Sequence, residues 1–226
     1  MSPSVLFMDV GGVLLTNGWD TECRARAVAR FDLNADEMEA RHEAVSEGFE
    51  TGRVSLDEYL DHVVFHRPRP FDRAAFRRFM ERQSRPHADA IALTARLGRM
   101  PGLTLAALNN ESLALNRYRI ATFGLRPLFF AFFSSCFVGV RKPDPGMFRL
   151  AVRVMQEDLD ACLFVDDRDE NVEAARETGL PVIASMTFEA RKRGSFTMIG
   201  DPLGPSLREL RGEGADVVGL NCSVEA

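Results

Sequence analysis

Four groups of residues in this chain have the types and the spacing for chemistry. Asp9 ends the apolar run Ser4-Val5-Leu6-Phe7-Met8 and precedes Val10-Gly11-Gly12-Val13. Asn109-Asn110 follow the apolar run 103–108, Lys142 stands in Val140-Arg141-Lys142-Pro143, and Asp166-Asp167 follow Leu163-Phe164-Val165. A carboxylate such as Asp9 needs no deprotonation at neutral pH to act as a nucleophile, and it forms a mixed anhydride that water can open. Two adjacent carboxylates near a third repel unless a cation lies between them, and hard oxygen ligands suit Mg2+. Lys142 adds a cation on a proline-held turn. Taken singly, each residue has an ordinary use. Asp9 could be a turn aspartate at the glycine pair, Lys142 a solvated loop lysine and Asn171 a polar helix-start residue. It is their joint placement at strand ends that points to one site.

The elements that must position them follow from hydrophobic period. Ser4 to Val10 is a short β-rich run ahead of glycines, hence a buried central strand. From Asp20 to about Pro86 the pattern is helical and charged, with Ser55-Leu56-Asp57-Glu58 as a capping box and Asp72 as a cap for the next helix. After Pro86, helices at 87–98, 112–122, 145–155 and 169–178 alternate with strands at 103–108, 161–165 and 181–185 and the apolar stretch 128–138. Such alternation predicts an α/β fold, a Rossmann-like parallel sheet with helices on both faces, interrupted by an inserted all-helical cap. The expected division is 1–16 with 86–185 as core, 17–85 as cap and 186–226 as a C-terminal extension.

In order and spacing, the motifs from Asp9 to Asn171 resemble the haloacid dehalogenase-like (HAD) superfamily, mostly magnesium phosphatases that form an aspartyl-phosphate. The resemblance implies that Asp9 is the nucleophile, that Asp9, Asp167 and the Gly11 carbonyl ligate Mg2+, and that Asp166 is an outer or water-mediated partner. It implies that Lys142 neutralises Asp9 and the phosphoryl oxygens, and that Asn171 orients the acidic loop. Two positions depart from the pattern. Asn109 stands where the family has Ser or Thr, and its amide, with that of Asn110, can donate to a phosphate oxygen instead. Gly11 stands where family phosphatases carry a second aspartate as general acid and base, so no side chain there protonates a leaving alcohol. The sequence matches an Asp-x-Gly-Gly-Val branch of the superfamily. The substrate expected is a small phosphorylated metabolite. Dehalogenation by Asp9 attacking carbon, and a noncatalytic phosphate- or partner-binding role, remain the alternatives. Trp19, the only tryptophan, could stack on substrate or hinge the cap against the core.

Composition narrows the partners. A formal charge of −5 gives no attraction to nucleic acid or anionic lipid. No charged-then-apolar leader opens the chain and no apolar run approaches the ~18 residues needed to span a bilayer, so a cytoplasmic location is expected. Cys23, Cys136, Cys162 and Cys222 form no Cys-x-x-Cys, which argues against a disulfide framework or zinc knuckle. His42, His62, His66 and His87 lack metal-ligand spacing and are expected at surface or capping positions. Phe129 to Phe133 could be a dimerisation face or strand and core packing.

The tail is less regular. Pro181 to Cys222 resembles a piece of a homocysteine S-methyltransferase barrel, in which a cysteine at the place of Cys222 is a zinc thiolate. The paired cysteines that would complete such a site are absent, so zinc is not expected. The tail reads as strand, loop, short helix Pro205 to Arg211 and strand. It could extend the sheet edge or be an incompletely packed fusion segment.

Overall fold

The short apolar runs become strands because both their faces find partners. The computed structural model describes residues 3–181, 183–191, 194–196, 204–205, 208 and 217–222. Strand β1 (Val5–Met8) is buried at every position. Val5 and Phe7 pack on one side with Met147, Phe148 and Ala151, while Leu6 and Met8 pack on the other with Leu14, Leu125 and Phe129. Period-two alternation with both faces apolar is the signature of a strand between two helical layers.

Strands β2 (Thr104–Asn109), β3 (Ala131–Ser134) and β4 (Cys162–Val165) complete a parallel sheet in the order β3-β2-β1-β4. The chain moves from β1 outward to β2 and β3, then returns to place β4 on the opposite side of β1. The switch point therefore lies between β1 and β4, whose last residues Met8 and Val165 are register partners. Helices α5 (Ala88–Leu97), α6 (Leu113–Thr122), α7 (Ser135–Val138), α8 (Pro145–Met155) and α9 (Asp169–Glu177) form the rest of the core. In the phenylalanine run, Phe129 and Phe133 are core residues and Phe130 is 80 % exposed.

Between β1 and α5 lie four helices, α1 (Thr21–Phe31), α2 (Ala35–Glu50), α3 (Leu56–Val63) and α4 (Arg73–Arg82). Their starts are local: Asp20, Asn34, Ser55 and Asp72 each accept from a backbone N–H one turn on, and Ser55 with Glu58 forms the expected capping box. Each such cap contributes about 1 kcal/mol. Their apolar faces meet in a second core containing Cys23, Ala27, Met38, Phe49, Tyr59, Phe76 and Met80. The chain leaves and re-enters the sheet side by side. Thr16 N–H donates to the Arg85 carbonyl at 2.9 Å and His87 N–H to that of Leu14 at 2.8 Å.

The strand expected at 181–185 is displaced. Strand β5 (Ile183–Arg191) pairs antiparallel with β6 (Gly194–Phe196) and parallel with β7 (Val217–Cys222), forming a separate three-stranded sheet. The tail supplies β5 with its hydrogen-bond partner, register Ile183 to Val217, so the main sheet ends at β4 among the described residues. Most of the expected helix Pro205 to Arg211 and the side chain of Cys222 lie outside the described residues. Among those residues no helix is long and apolar enough to cross a membrane.

Candidate active site

The end of β1 delivers Asp9 and the end of β4 delivers Asp166 and Asp167. Because the strands are adjacent and in register, three carboxylates converge, each offering an oxygen within 4.8 Å of the others. Asp9 is held by its own N–H, which donates to the Val165 carbonyl at 2.9 Å. Lys142 enters from the loop before α8, 2 % exposed. Its Nζ lies 3.1 Å from Asp9 Oδ1 and donates to Asp166 Oδ2. Asp166 Oδ1 accepts from Asn171 Nδ2 and from Arg168 N–H, both at 2.9 Å. Asn171 thus ties the acidic loop to the start of α9.

One ammonium faces three carboxylates, and the imbalance shows in their acidity. Burial, with repulsion from Asp166, pushes Asp9 up to about 6 against the opposing pull of Lys142. Burial and then Asp166 raise Asp167 as well. A hard divalent cation at this cluster would relieve both. The donor set therefore fits Mg2+. Gly12 makes the approach possible: at φ +75°, a Cβ there would sit 2.0 Å from Asp167 Oδ2. Gly11 has no such φ, and a Cβ on it would meet Asn17 Oδ1 at 3.2 Å.

The two asparagines divide differently from the expectation. Asn110 lines the cavity. Its Nδ2 donates to the Lys142 carbonyl at 2.8 Å and its Oδ1 accepts from Lys142 N–H at 2.9 Å, so it clamps the lysine loop. Asn109 is buried away from the cavity lining. The β2–β3 register sets it opposite Ser134. Its Oδ1 accepts from Ser134 Oγ at 2.8 Å and its Nδ2 donates to Asn116 Oδ1 at 3.2 Å. The amide expected to orient phosphoryl oxygens is therefore engaged inside the core.

A cavity of about 350 Å³ stands over Asp9, between sheet and helical insert. Beside Gly11 and Gly18 lies a buried ion pair that sequence spacing did not reveal. Arg119 Nη1 donates to Glu111 Oε2 at 2.6 Å, and Arg119 Nη2 to the Thr16 carbonyl at 2.5 Å. Burial raises Glu111, and Arg119 opposes the rise. Residues 111 and 119 are eight apart and meet only because Glu111 precedes α6, so no helical-neighbour rule finds them. Opposite, α2 docks on the core: Ser135 Oγ donates to the Glu50 carbonyl at 2.6 Å and Arg141 Nη1 to the Glu50 carboxylate at 2.7 Å. Trp19 packs edge-to-face on Phe76 and Phe79, with its Nε1–H donating to Tyr59 Oη at 2.7 Å. Trp19 thus packs inside the insert and also lines the cavity.

The model of the haloacid dehalogenase-like hydrolases matches residues 4–179, over three quarters of the chain. The chain belongs to that family. It is a hydrolase of the HAD-like class, and solved structures repeat its fold. A HAD family enzyme of Bacteroides thetaiotaomicron superposes with a TM-score of 0.70 at 17% identity, covering 80% of this chain and 92% of that one. A HAD-like family hydrolase of Porphyromonas gingivalis gives 0.62 at 18% identity, covering 80% and 89%. The L-2-haloacid dehalogenase of Xanthobacter autotrophicus gives 0.58 at 19% identity, covering 94% and 84%. No curated protein sequence matches this HAD-like chain significantly.

Proposed function

We propose that this HAD-like hydrolase cleaves small phosphomonoesters with magnesium, through a phosphorylated Asp9. The observation that carries the proposal is the cluster of Asp9, Asp166 and Asp167 facing the single ammonium of Lys142. Such an excess of negative charge is costly without a cation and serves no purpose in a metal-free attack on carbon. In support, the Bacteroides enzyme has been crystallised in complex with magnesium and inorganic phosphate.

The ion would be held by the carboxylates of Asp9 and Asp167 and the Gly11 carbonyl, with Asp166 behind them. When bound, it supplies positive charge to the phosphoryl oxygens and keeps Asp9 ionised. Asp9 attacks phosphorus, forming the O–P bond of an acyl phosphate as the ester P–O bond breaks. Lys142 stabilises the charge that builds on the phosphoryl oxygens. The departing oxygen takes its proton from water, because residue 11 is glycine and has none to give. Water then attacks the acyl phosphate, releasing inorganic phosphate and regenerating Asp9.

C–halogen hydrolysis is the competing reading, favoured by the dehalogenase fold neighbour. Turnover of para-nitrophenyl phosphate and of 2-chloropropionate, each with and without Mg2+, separates the two. Magnesium-dependent release of nitrophenol is expected. Metal-independent chloride release with no phosphatase activity would overturn the proposal.

A further inference from the structure

The roof of the cavity contains a one-way hydrogen-bond chain. Indole N–H can only donate, so Tyr59 Oη accepts from Trp19 Nε1, 2.7 Å away. The single phenolic proton must then find its own acceptor. The other polar atom at the hydroxyl is His42 Nδ1, at 2.8 Å. Tyr59 is fully buried and burial pushes its acidity down, so the proton stays on the phenol. His42 Nδ1 is therefore the acceptor, and the ring carries its hydrogen on Nε2. The arrangement is rigid: the rings of His42 and Tyr59 meet edge-to-face at 5.8 Å, and Phe49 stacks on Tyr59 at 4.0 Å.

The charged groups beside His42 are engaged. Arg24 donates to both Glu39 oxygens, to Thr21 Oγ1 and to the Trp19 carbonyl, while Glu50 is paired with Arg141. His42 lines the cavity, and its Nε2 has no protein partner among the described residues. Burial also lowers the basicity of His42, aided by Arg24 and Arg141 and opposed by Glu39, to about 4. A ring that stays neutral at pH 7 cannot act as a general acid of ordinary strength. It can donate one fixed hydrogen bond.

We propose that His42 is a specificity-determining residue whose Nε2–H donates to a hydroxyl or carbonyl oxygen on the substrate's leaving group, selecting polyol-type phosphomonoesters over plain alkyl or aryl ones. This rests on the phosphatase reading above. A donor with a fixed tautomer and no internal partner discriminates best against leaving groups that lack an acceptor, because it is then left unpaired.

The test uses a matched pair, glycerol 2-phosphate and isopropyl phosphate, which share a skeleton and differ in two hydroxyls. The wild-type protein with Mg2+ should favour glycerol 2-phosphate by about tenfold in kcat/KM, the scale of one hydrogen bond. His42→Phe should bring that ratio near unity. His42→Gln, whose amide N–H reaches the place of Nε2–H, should restore most of it. Nitrogen NMR of the wild type, which needs no folded variant, should show His42 protonated at Nε2 alone, and Tyr59→Phe should release that preference. An Nδ1–H tautomer, or an unchanged substrate ratio in His42→Phe with para-nitrophenyl phosphate still cleaved, would overturn the role of His42 alone. No turnover of para-nitrophenyl phosphate by the wild type would instead overturn the phosphatase reading, and this inference with it.

Discussion

The α/β core buries Lys142 to 2 % exposure by surrounding it with carboxylates, whereas the helical insert buries Tyr59 completely with two neutral partners, Trp19 and His42. The floor of the cavity is thus out of electrostatic balance in the absence of a cation. In its roof the charged groups are paired, and His42 Nε2 has no protein partner among the described residues. Function and stability oppose each other in the floor, because the repulsion that raises Asp9 and Asp167 is also the attraction for a metal. In the roof they coincide, since the packing that holds Tyr59 also aims His42. Substitutions should separate the two regions by the sign of their effects.

The largest effect is expected from Lys142→Met. It removes the only ammonium among the described residues from a buried carboxylate cluster, which should cost about 3–5 kcal/mol of stability and lower kcat about 10²–10³-fold. Urea unfolding with and without Mg2+ should show the loss partly repaired by the ion. An unchanged midpoint would mean that the floor does not depend on its cation.

Gly11→Asp should come next. The backbone there is not left-handed and the nearest obstacle is Asn17 Oδ1, so a side chain can be accommodated. If the missing general acid limits poor leaving groups, alkyl phosphate turnover should rise by about 10²-fold relative to aryl phosphate. A folded variant with unchanged leaving-group dependence would show that another residue already supplies the proton. Gly12→Ala is the contrasting control. At φ +75° with a Cβ on top of Asp167, it should lose magnesium binding.

Asp167→Ala should abolish the calorimetric heat of Mg2+ binding while raising the melting temperature of the metal-free protein, because one repelling charge is gone. A lower melting temperature would mean that the acidic pair is structurally supported rather than strained.

The acid limb of stability distinguishes the roof. His42 is held near 4, below its usual 6.5. As pH falls below about 6.5 the unfolded chain takes up a proton that the native state refuses until about 4. The stability associated with neutral His42 is therefore complete above 6.5 and lost on the way down to about 4. Thermal melts between these limits should be flatter for His42→Gln than for wild type, and parallel curves would contradict the burial of a neutral ring. The smallest effect is expected from Arg141→Gln. Its bridge to Glu50 is 39 % and 32 % exposed, so the loss should be at most about 1 kcal/mol by chemical unfolding.

Much of the floor was legible in the chain because strand ends are local features. Apolar runs followed by Asp9 and by Asp166-Asp167 announce where buried strands stop, and a parallel sheet must bring such ends to one edge. The caps at Ser55 and Asp72 were equally legible, since a cap bonds a neighbour three residues away. The roles of Asn109 and Asn110 were not. One residue of difference decides whether an amide meets Ser134 on the next strand or the main chain of Lys142, and strand register sets that choice.

By itself, then, the amino-acid sequence determined the strand–helix alternation, the helical insert after the first strand, and the placement of Asp9 and the acidic pair at strand ends. Each depends on period, capping or chain neighbours. Tertiary structure alone decided that Glu111 pairs with Arg119, that β5 pairs with β7 instead of joining the main sheet, and that Trp19, Tyr59 and His42 form a directed chain over the cavity. Those contacts join residues that are distant in sequence or on different elements, and which of many polar groups finds which partner is settled only when burial makes an unpaired one costly.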